Sequence, residues 1–173
     1  GFEYQGVTPD IVTMAKSIGN GAPLAAVVTT PKIAARLTER IHFNTFGGNP
    51  VSCAIGKAVL ELIDEDRLQE NCLNMGNRLF NGYHRLKEKY ELIGDIRGSG
   101  LMTGVEFVKD RQTKEPASQE CVEIFETLKD LGLLVGKGGY NGNTLRIKPP
   151  MCINEKDVDF MLETLDIAIG KVS

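Results

Sequence analysis

Lys16 is the one charged side chain in "IVTMAKSIGNGAPLAAVV" (residues 11–28), set between an apolar run and a flexible glycine loop. A lysine is ordinarily a hydrated surface residue, but three local features here point toward chemistry. Ile11, Val12, Met14 and Ala15 are expected to carry it into an apolar environment. A desolvated lysine loses its proton more readily, and the neutral amine attacks carbonyls to form a Schiff base. The "GNGAP" that follows lets the backbone come close to a bulky ligand without Cβ collisions. Two other segments carry groups of complementary chemistry. In "NTFGGNP" (residues 44–50) the Thr45 hydroxyl sits beside Gly47 and Gly48, near an expected helix start at Val51. That is a fair anion site, though the same residues also make an ordinary helix-entry turn. In "TLRIKPP" (residues 144–150) Arg146 offers a planar fork suited to a carboxylate, or an exposed edge charge ahead of two prolines. Arg97 in "DIRGSG" is its rival and is expected to anchor the glycine turn; His42 and His84 read as ordinary side chains.

The elements that must position these groups follow from periodicity and punctuation. Residues 10–15 read as a short extended or helical run, and residues 24–30 ("LAAVVTT") as a buried strand. Pro31 at a first helical position opens a helix through about residue 40. "HFNTFGGNP" (residues 42–50) is a loop. A helix over residues 51–63 places Ala54, Ala58 and Leu62 on one side, and a second over residues 68–90 keeps Leu68, Cys72, Met75, Leu79 and Leu86 at helical spacing. "YELIGDIRGSGLMTGVEFV" predicts two strands around a glycine turn, and "SQECVEIFETLKDLG" a helix with a serine N-cap and a glycine after its end. "LLVGKGG" and "TLRIKPP" are expected strands flanking a "YNGN" turn, and an amphipathic helix capped by Asn154, with Val158, Leu162, Leu165 and Ile169 apolar, closes the chain.

Composition narrows the function classes. With 173 residues, 42% hydrophobic and 25% charged, the chain is long enough for a buried core. A net charge of −3 gives no electrostatic reason to expect nucleic acid or an anionic membrane as partner. No apolar run approaches the roughly 20 residues that span a bilayer, so a soluble chain is expected. Cys53, Cys72, Cys121 and Cys152 lie far apart with no CxxC pair, which argues against a metal site or a disulfide framework and for a reducing compartment. "GSGLMTG" and "GKGGYNG" do not meet GxGxxG, and Gly136–Lys137 lacks the Ser or Thr of a P-loop. The opening glycine, with no leader pattern, reads as a processed terminus or a piece of something longer.

"TPDIVTMAKSIGNGAPLAAVV" resembles the lysine segment of the class III (ω-type) pyridoxal-phosphate aminotransferases, D-x5-K-x4-G-x-P, with Asp10, Lys16, Gly21 and Pro23 on its marked positions. "FNTFGGNPVSCAIGKAVLEL", "LIGDIRGSGLMTGVEF" and "TLRIKPPMCI" resemble the later family blocks, in order. "PDIVTMAK", "HFNTFGGNP", "LQEN" and "GLLVGKG" are most similar to the mitochondrial alanine–glyoxylate branch. Ala22 and Ala25 stand where many relatives have a bulkier residue and a glycine, small changes that tune a pocket.

The resemblance implies an α/β chain of the PLP-dependent transferase fold type I. Residues 1–65 would be the end of the large domain, and residues 66–173 the small α+β C-terminal domain. It implies that Lys16 holds pyridoxal phosphate as a Schiff base and later moves a proton. Thr45 would reach the cofactor phosphate of a neighbouring subunit in a homodimer, and Arg146 would grip the substrate carboxylate. The aspartate that pairs with the pyridinium nitrogen is expected upstream of Gly1, so this stretch alone should not transaminate. The implied reaction moves an amino group from L-alanine to glyoxylate in the mitochondrion; without the resemblance a cytoplasmic location would be the default. The alternatives are a phospho-lyase of amino-alcohol phosphates, an ornithine- or GABA-type ω-aminotransferase, or a truncated non-catalytic fragment. A further expectation is that the isolated 173 residues aggregate or stay partly unfolded, because the apolar strand at residues 24–30 lacks its neighbours.

Overall fold

A computed structural model describes all residues, Gly1–Ser173. The chain divides into two compact units, Gly1–Asp66 and Arg67–Ser173.

The first unit holds an antiparallel pair, β1 (Ile11–Met14) and β2 (Ala26–Thr29), with Ile11 opposite Thr29 and Met14 opposite Ala26. Helices α1 (Pro31–Leu37) and α2 (Pro50–Glu65) follow, each opened by its proline. The strand expected over residues 24–30 is shorter and is not buried: Val27 and Val28 are 67% and 54% exposed. Its only sheet partner is β1, so neither valine meets a second layer. Helix α1 stops at Leu37, three residues before the expected end, where Thr38 donates its hydroxyl to the Ala35 carbonyl. In α2 the stripe Ala54–Ala58–Leu62 is exposed, and the inward face is Ser52, Gly56, Val59 and Ile63. Gly56 is the reason: Leu24 packs where its side chain would stand, so the helix lies close against the Lys16–Gly19 turn.

The second unit holds all of the hydrophobic core. Helix α3 (Leu68–Lys89) leads into the hairpin β3 (Ile93–Ser99) and β4 (Met102–Phe107), then α4 (Ser118–Asp130), β5 (Gly136–Gly138), β6 (Thr144–Ile147) and α5 (Glu155–Gly170). The sheet is antiparallel throughout, in the order β3-β4-β6-β5. Thr103, Val105 and Phe107 alternate with Met102, Gly104 and Glu106, and only the first set is buried. That face, with Leu145 and Ile147, packs against α3, α4 and α5 through Leu79, Tyr83, Ile124, Leu128, Leu165 and Ile169. Helices α3 and α5 are clamped at two levels. Arg78 donates to both Asp159 carboxylate oxygens at 3.0 and 2.9 Å, and Lys89 to both of Asp166 at 2.7 and 2.9 Å. Hydrogen bonds from Lys89 and then Tyr90 hold the Asp166 carboxyl below the usual carboxylate range.

Local signals placed some boundaries and missed others. Asn154 makes a capping box with Asp157, and Gly132, at φ 87, follows α4. Ser118 is not the cap of α4; it is the first helical residue, and its hydroxyl donates to the Asn141 carbonyl at 2.7 Å. "LLVGKGG" shortens to β5, Gly136–Gly138.

This asymmetry in burial has a measurable consequence. In residues 1–66 only Gly19 and Gly56 are fully buried, whereas the second unit encloses the whole core. Amides of β1 and β2 are expected to exchange hydrogen at least about 1,000-fold faster than those of β4 and β6, since protection follows local burial. Exchange followed by mass spectrometry on the 173-residue chain checks this; equal protection in both sheets would refute it.

Candidate active site

Strand β1 delivers the chain to Ala15, which is fully extended at φ −153, and the backbone then reverses into a 3-10 turn at Lys16–Gly19. Lys16 itself sits at φ 58, a left-handed conformation that costs a residue with a Cβ about 1–2 kcal/mol. Asn20 at φ 44 and Gly21 at φ 101 complete the reversal, tied by Asn20 N–H to the Ser17 carbonyl and Ala22 N–H to the Gly19 carbonyl. The result is an open cleft of about 450 Å³ lined by Lys16, Ser17, Asn20, Gly21, Ala22 and Pro23. The apolar surroundings expected from residues 11–15 are not there. Ile11 is 53% exposed and Met14 37%, and Lys16 is exposed as well. A two-stranded ribbon has no second layer in this unit to cover either face.

Thr45 lies exposed in the loop before α2, outside the residues that line the Lys16 cleft. Asn44 organises that loop, accepting from Phe46 N–H on its side chain at 3.1 Å and from Gly47 N–H on its carbonyl at 3.0 Å. The start of α2 is not the anion site that its sequence suggests. Pro50 has no N–H, the Asn49 side chain accepts from Val51 and Ser52, and the Asn49 carbonyl accepts from Cys53. An anion at this loop would therefore be met by the Thr45 hydroxyl and not by the helix terminus.

Arg146 belongs to the second unit, on the sheet face turned away from the core. Its register partners are Gly104 on β4 and Gly136 on β5, and Arg97 on β3 stands opposite Gly104, so the four residues form one row across the sheet. The two arginines differ sharply. Arg97 donates to Asp95 at 2.8 Å and to Glu106 at 2.5 Å, pairing along and across the strands without anchoring the glycine turn. Those hydrogen bonds push the Arg97 guanidinium further up and the Asp95 carboxyl down. Arg146 has no carboxylate partner and is exposed, the state of a guanidinium available to an external anion. Beneath it, Thr103 donates to the Ile147 carbonyl at 3.1 Å and meets the Tyr83 hydroxyl at 3.2 Å, fixing the end of β6 to β4 and α3. Burial pushes the Tyr83 phenol up to about 12, so it stays protonated in this contact.

Sequence reasoning did not single out the glycines beside Arg146. The available signal was glycine at alternate positions of "GKG", which puts Gly136 and Gly138 on one face of a strand.

The family model for aminotransferase class-III matches residues 1–169. The mitochondrial alanine–glyoxylate aminotransferase 2 homolog 2 of Arabidopsis thaliana is 55% identical over 172 residues, 99% of this chain and 36% of that protein. A transaminase from the marine bacterium Virgibacillus superposes with a TM-score of 0.90 at 34% identity, covering 99% of this chain and 41% of that one. A phospholyase from Arthrobacter, solved with phosphoethanolamine, gives 0.91 at 31% identity over 96% of this chain and 40% of its own. The chain thus spans about a third of the length of the curated relatives it matches.

Proposed function

This chain belongs to the aminotransferase class-III family, and from that premise we propose that it is the lysine-bearing portion of a pyridoxal-phosphate transaminase. The amino group of an L-amino acid, L-alanine on this proposal, passes to a 2-oxo acid, glyoxylate, and leaves pyruvate and glycine. The observation that carries it is Lys16: a non-glycine residue held at φ 58 on the wall of an open cleft. Backbone strain of this kind persists at sites where a side chain has to be aimed. Gly21, at φ 101, adds no side chain to that wall, and the open space beside it supports room for a flat ring.

Family members use pyridoxal phosphate. When bound, it supplies an aldehyde and an electron sink for the substrate Cα. The chain's own residues supply the rest. Lys16 Nζ is the group that would hold it covalently and, once released, the base that takes the proton from the substrate Cα. Thr45 would donate to a phosphate. Because Thr45 does not line the Lys16 cleft, this agrees with a threonine serving the cleft of a second copy in a homodimer. Arg146 would receive the substrate carboxylate bidentately, which its lack of an internal partner permits. Residues 1–65 would then close the large domain and residues 66–173 form the small one, and the relatives named mitochondrial support that compartment.

Reduction of the full-length protein with borohydride in the presence of the cofactor, followed by peptide mapping, tests the assignment. A pyridoxyl label on Lys16 is expected, and a label on any other lysine overturns it. The likeness to the phospholyase favours a second reading, elimination from an amino-alcohol phosphate. Release of inorganic phosphate from phosphoethanolamine, without amino transfer to glyoxylate, would establish that reading and displace the first.

A further inference from the structure

We propose that Gly136 and Gly138 are positioning residues for Arg146, keeping its guanidinium flat along β5 and open to the carboxylate of the incoming amino acid. The proposal rests on the carboxylate role given to Arg146 above. Glycine inside a strand weakens it and marks a bulge or a close approach. Here backbone freedom is not the reason: Gly139 and Gly142 have φ 85 and 67, but Gly136, Gly138 and Gly104 are absent from the positive-φ glycines. What these three leave is room. A Cβ on Gly136 would lie 3.4 Å from Arg146 Nε and 3.5 Å from Arg146 Cβ, and one on Gly138 would lie 3.8 Å from Arg146 Cδ. The arginine stem therefore lies over β5 beside both glycines, with Nε nearer to an added Cβ on Gly136 than to one on Gly138. On its other flank Gly104 offers no side chain either.

Two further observations describe the surroundings of this strip. Glu106 lies on the same face and is the carboxylate nearest in register, but Arg97 holds it at 2.5 Å, which leaves Arg146 without an internal partner. Thr144 pairs with Gly138 on the same face; it is 4% exposed, and its hydroxyl has no hydrogen-bond partner. The face thus presents an unpaired guanidinium over a floor of backbone, which admits a carboxylate, while the Thr144 hydroxyl is covered beside Gly139.

The test uses the full-length holoenzyme and propionate, a carboxylate without an amino group, with its dissociation constant measured by calorimetry alongside KM and kcat for L-alanine. Gly136→Ala is expected to weaken propionate about tenfold, close to 1.4 kcal/mol, and to raise KM for alanine by the same factor with kcat kept. A Cβ on Gly138 would touch Arg146 Cδ only at ordinary contact distance, so Gly138→Val, whose methyls reach further, carries the test should Gly136→Ala fail to fold and should shift both constants in the same direction. In an Arg146→Met background Gly136→Ala should add nothing, because its effect passes through that arginine. A full tenfold loss there too, or a Gly136→Ala enzyme that loses kcat and keeps its propionate affinity, overturns the positioning role. Should wild type fail to bind propionate, or Arg146→Met leave binding unchanged, the carboxylate role of Arg146 falls instead.

Discussion

Lys16→Ala in the full-length enzyme is expected to lower transamination at least about 1,000-fold, the loss of both a nucleophile and a proton carrier. Stability should not follow. Lys16 is exposed and packs into no core, so truncating its side chain should change the unfolding free energy by less than about 0.5 kcal/mol. Lys16→Gly sharpens the expectation by separating the two properties in sign. Glycine accepts the φ of 58 without penalty, so that variant should be as inactive as Lys16→Ala and about 1 kcal/mol more stable than it. Steady-state rates and denaturant unfolding on the same preparations measure both. Activity within tenfold of wild type in Lys16→Ala would remove Lys16 from the chemistry.

Gly76→Val should be among the most damaging substitutions in the second unit, costing about 3 kcal/mol of stability. Helix α3 crosses the β3–β4 turn at this glycine, and a Cβ there would stand 2.5 Å from the Gly100 carbonyl oxygen and 2.7 Å from its Cα. Both obstacles are backbone, so no rotamer change relieves the clash. Gly100 cannot retreat easily either, since it holds φ 54 in a two-residue turn between Ser99 and Met102. Asn74→Val, on an exposed position of the same helix, controls for helix propensity and should cost less than about 1 kcal/mol. Guanidinium unfolding of the three proteins decides it. A Gly76→Val loss no larger than that of Asn74→Val would show that helix and turn separate freely.

The two units were legible in the sequence to different degrees, for a physical reason. In α3 and α5 the apolar spacing led directly to Met75, Leu79 and Leu86, and to Val158, Leu162, Leu165 and Ile169, all of them buried. Those helices pack on a core contained in their own unit, so the periodic face and the buried face coincide. In α2 the periodic residues Ala54, Ala58 and Leu62 stayed exposed and Gly56 faced inward, because a glycine contact carries no hydrophobic signal. The valines of β2 read as core and stand exposed for a related reason. Hydrophobicity records that a residue is to be covered, not which unit covers it.

What the residues determined alone is local. Asn154 as a cap, Pro31 at a first helical position, and Gly132 past a helix end mark boundaries because capping and φ restrictions act within a few residues; Pro50, read as loop, also proves to be a first helical residue. Tertiary structure completed the pairing of one arginine and left the other open. Arg97 and Arg146 are both strand arginines near glycine; Asp95, two residues before Arg97, is a local partner that Arg146 lacks, and Glu106 is added only by strand pairing. Register distinguishes them: β4 sets Glu106 within reach of Arg97, while β4 and β5 bring Gly104 and Gly136 to the two sides of Arg146. Strand pairing joins residues about forty positions apart, and a charge is neutralised or left open by whatever that pairing sets beside it.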